Sequence, residues 1–526
     1  MIVFRVDTRC GLGHFMRMKW LACELEKQDQ KTLFLVDDCE IPRAFARPLQ
    51  AELVTVPRFS DSEQDATWCK KYLSSLEDTI KWVVVDGYEL DSLWESIVLE
   101  LDIKLFSVDD LERKHLGDGV LDMKWLGAET ESRYQHLIDA KAHRLLGPQY
   151  AILAPEYVSA AQQQNTLKRE NNITFALGGG GNWHLIEAVI KQLCAQALQI
   201  QLVFGPKATG TENLLLLSEQ NENLKILNAP SSLAKCYGQT GLFVGALGTS
   251  LYELAATKTP SLTFSLAQNQ ENRTEDLEAL GHYFHISDLL SLPVEKVVRL
   301  ITTLYKHRAE IEALRQTPKV QVDGRGAKRV ADYLLNNKSD LLVNEMGTSG
   351  VLGEVVTEIS SSISVRQICN EDVNSYLNAR NRDENMWRMT VTDKISKVDH
   401  YNWWFNNARQ SYVLEHNGKA LIYVWHQICE HEGQDYLYGG WFAACDDVNF
   451  AHAQIVLDWQ LNYCAKLYPD GIWLAVINKD NRFVNLLNQK EGFTGLIEGS
   501  KEYALTQRIF AQADASAFNF VGKFPK

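Results

Sequence analysis

A histidine that follows a glycine turn is the first residue of the chain placed for chemistry. The stretch DTRCGLGHFMR joins the strand-like IVFRV to a helical pattern, with Gly11 and Gly13 in the turn and His14 at the helix start. A helix N-terminus presents unpaired N–H groups that stabilise anions, and its dipole disfavours a charged imidazole. His14 is therefore interpreted either as a neutral catalytic base or as a structural residue packed against the turn.

A second turn of small residues lies further along, in GALGTSLYELAATKTPSLTFSLAQNQ. Gly248, Thr249 and Ser250 precede a helical pattern, so their N–H and hydroxyl groups are suited to a diphosphate. Glu253 comes one turn later and is suited to accept both hydroxyls of a ribose. The alternative for Glu253 is a solvated helix carboxylate.

Buried strands that alternate with helical patterns must position both turns. MIVFRV, KTLFLV, KWVVVD and IKLFSVD form one set, and NITFALGGGG, IQLVFG, LKILNA, GLFVGALG and SLTFSL form another. The pattern predicts an α/β fold with two doubly wound Rossmann-like domains, at residues 1–160 and 170–335, that face one cleft. Residues 336–362 are interpreted as a linker, and residues 363–526 as a further domain with a mixed sheet.

Composition restricts the classes of function. The chain has 526 residues and a net charge of −14, with no long basic run, which argues against non-specific nucleic-acid binding and a polybasic membrane anchor. No apolar run reaches the roughly 18–20 residues that span a bilayer, and the strand-like start predicts no signal peptide. Ten cysteines without a CxxC pair predict reduced thiols in a cytoplasmic protein. No carboxylate cluster predicts a metal, and the sequence does not indicate an oligomeric state.

Several of these motifs occur in the order found in one enzyme family. They are RVDTRCGLGHFMRMKWLACEL, VVVDGYELD, FSVDDLERKHLGD, LLGPQYAILAPEY, FALGGGGN and GTSLYELAATKTPS with AQNQ. Residues 1–335 thereby resemble the UDP-sugar hydrolases of pseudaminic acid biosynthesis, which are related in fold to the glycosyltransferase that makes lipid II. The resemblance implies two domains of the GT-B type. It also implies inverting hydrolysis of UDP-2,4-diacetamido-2,4,6-trideoxy-β-L-altropyranose to UDP and the free sugar, with no metal or cofactor.

The resemblance assigns a role to each matching position. His14 matches the general base that acts on water. Glu253 matches the ribose ligand. The remaining matches are positions of the glycine turn, the cleft, the diphosphate turn and the sugar site: Asp7, Gly11, Gly13, Arg17, Asp86, Tyr88, Asp109, Asp110, Gly248, Thr249, Ser250, Asn269 and Gln270. For Asp110, which precedes LERKHL, a helix N-cap is the alternative.

Three departures from the family pattern bear on the sugar. Arg9 stands in a shortened loop before the GxGH turn, Gly178–Asn182 reads GGGGN where GGSD is common, and Ala154 replaces a usual arginine. These changes put the identity of the sugar in question more than they do the nucleotide-sugar class.

The last domain resembles the GCN5-related N-acetyltransferases (GNAT), and more narrowly those that acetylate amino-sugar nucleotides. Arg380–Asn381, the stretch DHYNWW and the run VINKDNRFVNLLNQKEGF with Asn481 carry the resemblance. It implies acetyl-CoA as cofactor and the 4-amino group of a UDP-linked sugar as acceptor. His400, Trp403 and Trp404 are interpreted as core residues.

The positions of that chemistry depart from the family. CDDVNFAH stands where a glycine-rich turn receives the pyrophosphate, and Asp446 and Asp447 would repel it. Asn488 replaces the tyrosine that protonates the departing thiolate. An active acetyltransferase and a GNAT-like domain that has lost or changed its acyl-CoA chemistry both stay open.

Two other functions compete with hydrolysis. A GT-B glycosyltransferase would use the same UDP-sugar cleft but require an acceptor. A non-enzymatic scaffold would bind the nucleotide sugar without converting it. Release of UDP without an acceptor separates hydrolysis from transfer.

Overall fold

The computed structural model describes residues 1–9, 13–37, 46–162, 168–266, 272–336 and 353–525. The chain divides into two compact units, unit 1 at Met1–Gly350 and unit 2 at Val351–Lys526. Among the residues in these ranges, no helix is both long enough and apolar enough to cross a bilayer.

The first half of unit 1 is a parallel sheet with the strand order β3-β2-β1-β4-β5-β6-β7. Its strands are β1 Ile2–Val6, β2 Thr32–Asp37, β3 Glu52–Val56, β4 Trp82–Asp86, β5 Lys104–Val108, β6 Gly119–Asp122 and β7 His143–Leu146. The helices are α1 Gly13–Glu26, α2 Ser62–Ser74, α3 Ser92–Leu99 and α4 Glu156–Gln162. β1 and β4 are buried along their whole length, as expected for central strands covered on both faces.

The second half repeats this architecture with the order β10-β9-β8-β11-β12-β13. Its strands are β8 Asn172–Ala176, β9 Gln199–Phe204, β10 Leu224–Asn228, β11 Leu242–Ala246, β12 Ser261–Phe264 and β13 Phe284–His285. The helices are α5 Glu187–Cys194, α6 Glu212–Gln220, α7 Ala234–Gln239, α8 Ser250–Thr257, α9 Thr274–Ala279, α10 Val294–Lys306, α11 Arg308–Leu314 and α12 Gly326–Asn336. The predicted pair of Rossmann-like parallel sheets is confirmed.

The last helix of the second half returns to the first half. α12 packs against α1, and apolar residues of both helices belong to one buried cluster. The Trp82 indole of β4 donates a hydrogen bond of 2.8 Å to the Leu334 carbonyl of α12. This packing joins the halves and fixes how their strand ends face each other.

Unit 2 contains a mixed sheet with the order β14-β15-β16-β17-β18-β19-β21-β20. Its strands are β14 Val355–Glu358, β15 Ile363–Gln367, β16 Gln410–His416, β17 Lys419–His431, β18 Gln434–Ala443, β19 Ile472–Asn478, β20 Thr494–Gly495 and β21 Phe518–Lys523. The helices are α13 Val373–Arg380, α14 Asp383–Met386, α15 Lys397–Trp404, α16 Phe450–Leu467, α17 Arg482–Lys490 and α18 Lys501–Ile509. The mixed sheet expected from the sequence is confirmed.

The predicted linker at 336–362 extends too far toward unit 2. Residues 337–352 lie outside the described part of the chain. β14 falls within the predicted linker and pairs antiparallel with β15 as an edge strand. Its short, half-exposed VVTE segment lacks the long apolar run by which the other strands were recognised.

Candidate active site

A cavity lies between the two halves of unit 1, at the carboxyl ends of their strands. Ligands of open α/β sheets bind at this edge. The first half contributes Gly13, Met16, Arg17, Trp20, Ile152, Leu153, Ala154 and Tyr157. The second half contributes Ala176, Gly178, Gly179, Val203, Phe204, Gly205, Pro206, Ala229, Pro230, Ser231, Ser232, Leu233, Tyr237, Thr249, Ser250 and Glu253. The two turns singled out in the sequence therefore border one cavity.

His14 is hydrogen-bonded to a buried carboxylate. Its Nδ1 lies 2.6 Å from Oδ1 of Asp86, the last residue of β4. Because a carboxylate accepts hydrogen bonds, the proton belongs on Nδ1 and the lone pair of Nε2 is left for a proton from elsewhere. Gly13 and Arg17, which flank His14 in α1, both line the cavity.

Arg17 holds the same carboxylate. Its Nε donates to Asp86 Oδ2 at 2.5 Å, and its Nη2 donates to Oδ1. Burial alone would raise the pKa of Asp86, but the charge of Arg17 and the hydrogen bonds from Arg17 and His14 outweigh burial and lower the pKa to about 2. Asp86 is thus ionised at neutral pH and orients the imidazole.

Close approach of two strand ends places Asp86 beside the glycine turn. The Asp7 amide donates to the Asp86 carbonyl at 2.9 Å. A Cβ on Gly87 would lie 2.5 Å from Cβ of Asp7, so only glycine fits directly after Asp86. Asp7 itself is occupied, because both of its carboxylate oxygens accept hydrogen bonds from Arg9.

Tyr88 and the Asp109–Asp110 pair also lie near His14. The Tyr88 ring meets the His14 ring edge-on at a centroid distance of 5.1 Å, and its hydroxyl donates to Asp110 at 3.3 Å. The N-cap alternative for Asp110 is wrong, because residues 111–116 form no helix. The Asp109 carboxylate accepts hydrogen bonds from the backbone N–H and the Nε of Arg113.

The second half offers the start of α8 to the cavity. Gly248 and Thr249 are exposed before the helix, and Ser250 is its first residue. Thr249 is the N-cap, but its side chain makes no capping hydrogen bond. The Leu251 and Tyr252 amides donate to the Gly248 and Thr249 carbonyls, so the Thr249 hydroxyl and the amides before Leu251 are the groups that an anion would meet.

Glu253 lies one turn into α8 and faces the same cavity. Burial raises the pKa of Glu253 to about 7, against the lowering effect of the Tyr157 and Ser250 hydroxyls. The carboxyl therefore changes its charge near neutral pH. It is not the solvated helix carboxylate of the alternative interpretation.

Two glycine turns of the second half approach each other at the cavity wall. Gly178 has a φ of +76°, a left-handed conformation that favours glycine. A Cβ on Gly205 would lie 2.3 Å from the Gly178 carbonyl oxygen. The sequence pattern indicated the Gly178 turn as part of the site. Three other parts of the cavity wall were missed, namely Gly205–Pro206, residues 229–233 and Tyr157. Of these, only Gly205 carried a signal in the sequence, because it is a glycine directly after the apolar run of β9.

Three predicted positions, Gly11, Asn269 and Gln270, lie outside the described residues. Within the ranges that the structure does describe, no three His, Cys, Asp or Glu side chains converge as metal ligands would.

Unit 2 has a cleft of its own between β18 and β19. These strands pair only from Tyr436 to Tyr438 and from Ile472 to Leu474, and then separate. The walls are mostly aromatic, amide and small side chains, among them Asn385, Trp425, Gly439, Gly440, Trp441, Gln460, Trp473, Asn478, Asn481, Asn488 and Phe510. Asn481 and Asn488, the predicted positions, are both among the lining residues.

Local hydrogen bonds occupy part of these two amide side chains. Asn481 is the N-cap of α17 and accepts from the Val484 amide, whereas the Asn488 amide donates to the Val484 carbonyl at 2.9 Å. Both residues are buried.

The turn before α16 does not fit the pyrophosphate of an acyl-CoA. The Asn449 side chain caps the helix by accepting from the His452 amide, and residues 445–452 contain no glycine. Asp446 and Asp447 are exposed and paired with Arg382 and Lys419, respectively. The two carboxylates repel a pyrophosphate, and the capped first turn has fewer free N–H groups to bind it.

His400 has a structural role, as interpreted from the sequence. His400 is buried and its Nε2 lies 2.7 Å from the Val373 carbonyl oxygen. Burial lowers the pKa of His400 to about 4, so its ring is neutral. Asn381 closes the loop to Ile395 with two hydrogen bonds of 2.8 and 2.9 Å.

The chain is similar to a curated protein of polysaccharide biosynthesis. The spore coat polysaccharide biosynthesis protein SpsG of Bacillus subtilis (strain 168) is 24% identical over 335 residues, which cover 62% of this chain and 94% of SpsG. No model of a known protein family matches the chain.

Solved structures with a similar course include MurG of Acinetobacter baumannii, at 14% identity and a TM-score of 0.43, covering 64% of this chain and 99% of MurG. UGT2 of Phytolacca americana, complexed with UDP-2fluoro-glucose and pterostilbene, is 10% identical with a TM-score of 0.43 and the same coverage. Over about 62% of its length, this chain is thus similar in sequence to a polysaccharide biosynthesis protein.

Proposed function

We propose that unit 1 is a nucleotide-sugar enzyme that moves a sugar from a nucleoside diphosphate to an oxygen nucleophile. One observation carries the proposal: Gly13 and Arg17, which are next to His14 and bound to its partner Asp86, respectively, line the same cavity as the start of α8 and Glu253. A base is thereby close to a site suited to a diphosphate. The similarity to a polysaccharide biosynthesis protein supports the same class of chemistry.

The residues divide the reaction between the halves. The Thr249–Ser250 start of α8 and the Gly178–Gly179 turn bind the diphosphate through backbone N–H groups, and Glu253 binds the ribose. The oxygen nucleophile attacks the anomeric carbon while its proton passes to Nε2 of His14. The bond from that carbon to the phosphate oxygen breaks, and the nucleoside diphosphate leaves with the electron pair. Asp86 stabilises the imidazolium that forms.

Transfer to an acceptor hydroxyl is the form that the polysaccharide biosynthesis relative supports better. Hydrolysis is the second candidate, and the GxGH turn with its family-like neighbours favours it. In both forms His14 deprotonates the nucleophile, so the chemistry differs only in whether water or a sugar hydroxyl enters.

Incubation with UDP-N-acetylhexosamines, with and without sugar acceptors, in heavy-oxygen water separates the two forms. Transfer requires an acceptor for UDP release and places no heavy oxygen in the product. Hydrolysis releases UDP without an acceptor and places heavy oxygen on the free sugar at early time points. Release of UDP carrying heavy oxygen would mean attack at phosphorus and would contradict the role of His14. Absence of both UDP binding and turnover across uridine and other nucleotide sugars would contradict the proposal.

For unit 2 we propose a ligand-binding cleft between β18 and β19. Acetyl transfer stays a prediction from the sequence. The capped, acidic turn before α16 argues that the ligand is not an acyl-CoA.

A further inference from the structure

The segment Gly87–Tyr88 determines how Asp86 and the Tyr88 ring meet His14. It follows β4 directly and has to pass within contact of Asp7. Tyr88 then places its ring edge-on against the imidazole. A shift of this segment would therefore move both neighbours of His14 together.

Arg113 holds this segment from outside the reacting groups. Its Nη1 donates to the Tyr88 carbonyl at 2.6 Å, and its Nη2 donates to the Gly87 carbonyl at 3.3 Å. The same guanidinium donates through Nε to Asp109 Oδ1 at 2.8 Å. A planar guanidinium can make these bonds at once, whereas a lysine ammonium cannot reproduce the fork.

Asp109 is in turn fixed by buried groups. Its Oδ2 accepts from the Tyr134 hydroxyl at 2.9 Å and lies 3.4 Å from Nε2 of His115. His115 Nδ1 lies 2.7 Å from Glu95 of α3, a fully buried carboxylate. This geometry makes a continuous set of contacts from α3 to the segment after Asp86.

We propose that Arg113 is a positioning residue for the His14–Asp86 pair, anchored by Asp109 and His115. It acts through the two carbonyls of Gly87 and Tyr88. Its effect on turnover rests on the proposed function, but its effect on the His14 environment does not.

The test compares Arg113→Ala and Arg113→Lys with Arg144→Ala in the full chain. Arg144 is a matched control, because its guanidinium also donates to two carbonyls, those of Glu131 and Arg133, yet contacts neither Gly87 nor Tyr88. We expect kcat to fall about 10- to 100-fold in both Arg113 variants, since small misplacements of reacting groups have effects of this size. UDP affinity should stay within about twofold, because α8 and its cavity are untouched.

A second readout does not need turnover. With isotope-labelled histidine, the ring resonance of His14, assigned by its loss in His14→Gln, reports the nearby Tyr88 ring. We expect this resonance to move in both Arg113 variants and not in Arg144→Ala. Millimolar guanidinium should restore part of the wild-type shift and rate in Arg113→Ala.

An unchanged His14 resonance in folded Arg113→Lys would overturn the proposal. So would an equal effect in Arg144→Ala. If no substrate turns over but the resonance moves as expected, the proposed function fails and the positioning role stands.

Discussion

The cavity of unit 1 and the cleft of unit 2 differ in the kind of side chains that line them. In unit 1, Arg17 and Glu253 line the cavity, and Arg17 is bound to Asp86, the partner of His14. In unit 2, Arg388 is the single ionisable side chain among the described lining residues, and amides and aromatics make up much of the rest.

This difference separates proton transfer from recognition. A general base needs a second group that fixes its tautomer and stabilises its charged form, as Asp86 does for His14. Aromatic walls and amides bind neutral ligands through stacking and hydrogen bonds but do not exchange protons near neutral pH. The chemistry is therefore expected in unit 1, and the following changes test that contrast.

His14→Ala should give the largest effect. Loss of the base should reduce turnover about 10²- to 10⁴-fold, while UDP affinity is kept because α8 provides the nucleotide contacts. Steady-state kinetics and calorimetry with UDP measure the two quantities. His184→Ala, which removes an exposed histidine of unit 1, is the control. Wild-type turnover in His14→Ala would remove the basis of the contrast.

Asp86→Asn should reduce turnover by about 10²-fold and destabilise unit 1 by about 3–5 kcal/mol, because Arg17 would be left without its buried counter-charge. The pKa of Asp86 is lowered from 3.8 to about 2. Its stabilising contribution is therefore complete above 3.8 and is lost as the pH falls toward 2. Thermal unfolding of wild type and variant across this window should converge at its acidic end. A difference in unfolding temperature that stays constant across this pH window would contradict the proposed ionised Asp86.

Glu253→Gln should weaken UDP binding about tenfold at a pH well above 7, where the wild-type carboxylate accepts the ribose hydroxyls. Below pH 7 the difference should shrink, because the pKa of Glu253 is raised to about 7 and the group is then neutral in both proteins. Calorimetric titrations on both sides of that value measure the change.

The same raised pKa affects stability with the opposite sign to Asp86. The folded chain keeps the Glu253 proton between its ordinary value of 4.5 and about 7, so this contribution to stability is lost as the pH rises through that window. Glu219→Gln, on the exposed face of α6, should reproduce neither effect.

The smallest effect is expected in unit 2. Calorimetry of the full chain with acetyl-CoA should give no resolved heat. The double variant Asp446→Asn with Asp447→Asn should improve binding by no more than a few-fold, since screened charges near a helix start have small effects. Tight binding of acetyl-CoA by the wild type would show that the turn before α16 does accept a pyrophosphate and that unit 2 is an acyl-CoA site.

Much of the fold could be predicted from the sequence, because buried parallel strands are long apolar runs and their helices show a clear period. β14 escaped this reasoning, since an edge strand with one half-exposed face carries no such run. The N-cap alternative for Asp110 failed because its carboxylate accepts a hydrogen bond from the Tyr88 hydroxyl, and the Glu112 amide donates to the Tyr134 hydroxyl instead of entering a helix.

By itself, the sequence determined the local features of the site: the glycine turn before His14, the small residues before Ser250 and the missing glycine before Phe450. Each depends on backbone conformation within a few residues, which residue types largely control. Tertiary structure alone decided the partners. Asp86 lies 72 positions from His14, and Arg113 holds the segment after Asp86. These contacts depend on strand order, which places β1, β4 and β5 side by side, because distant side chains meet only when the sheet has formed.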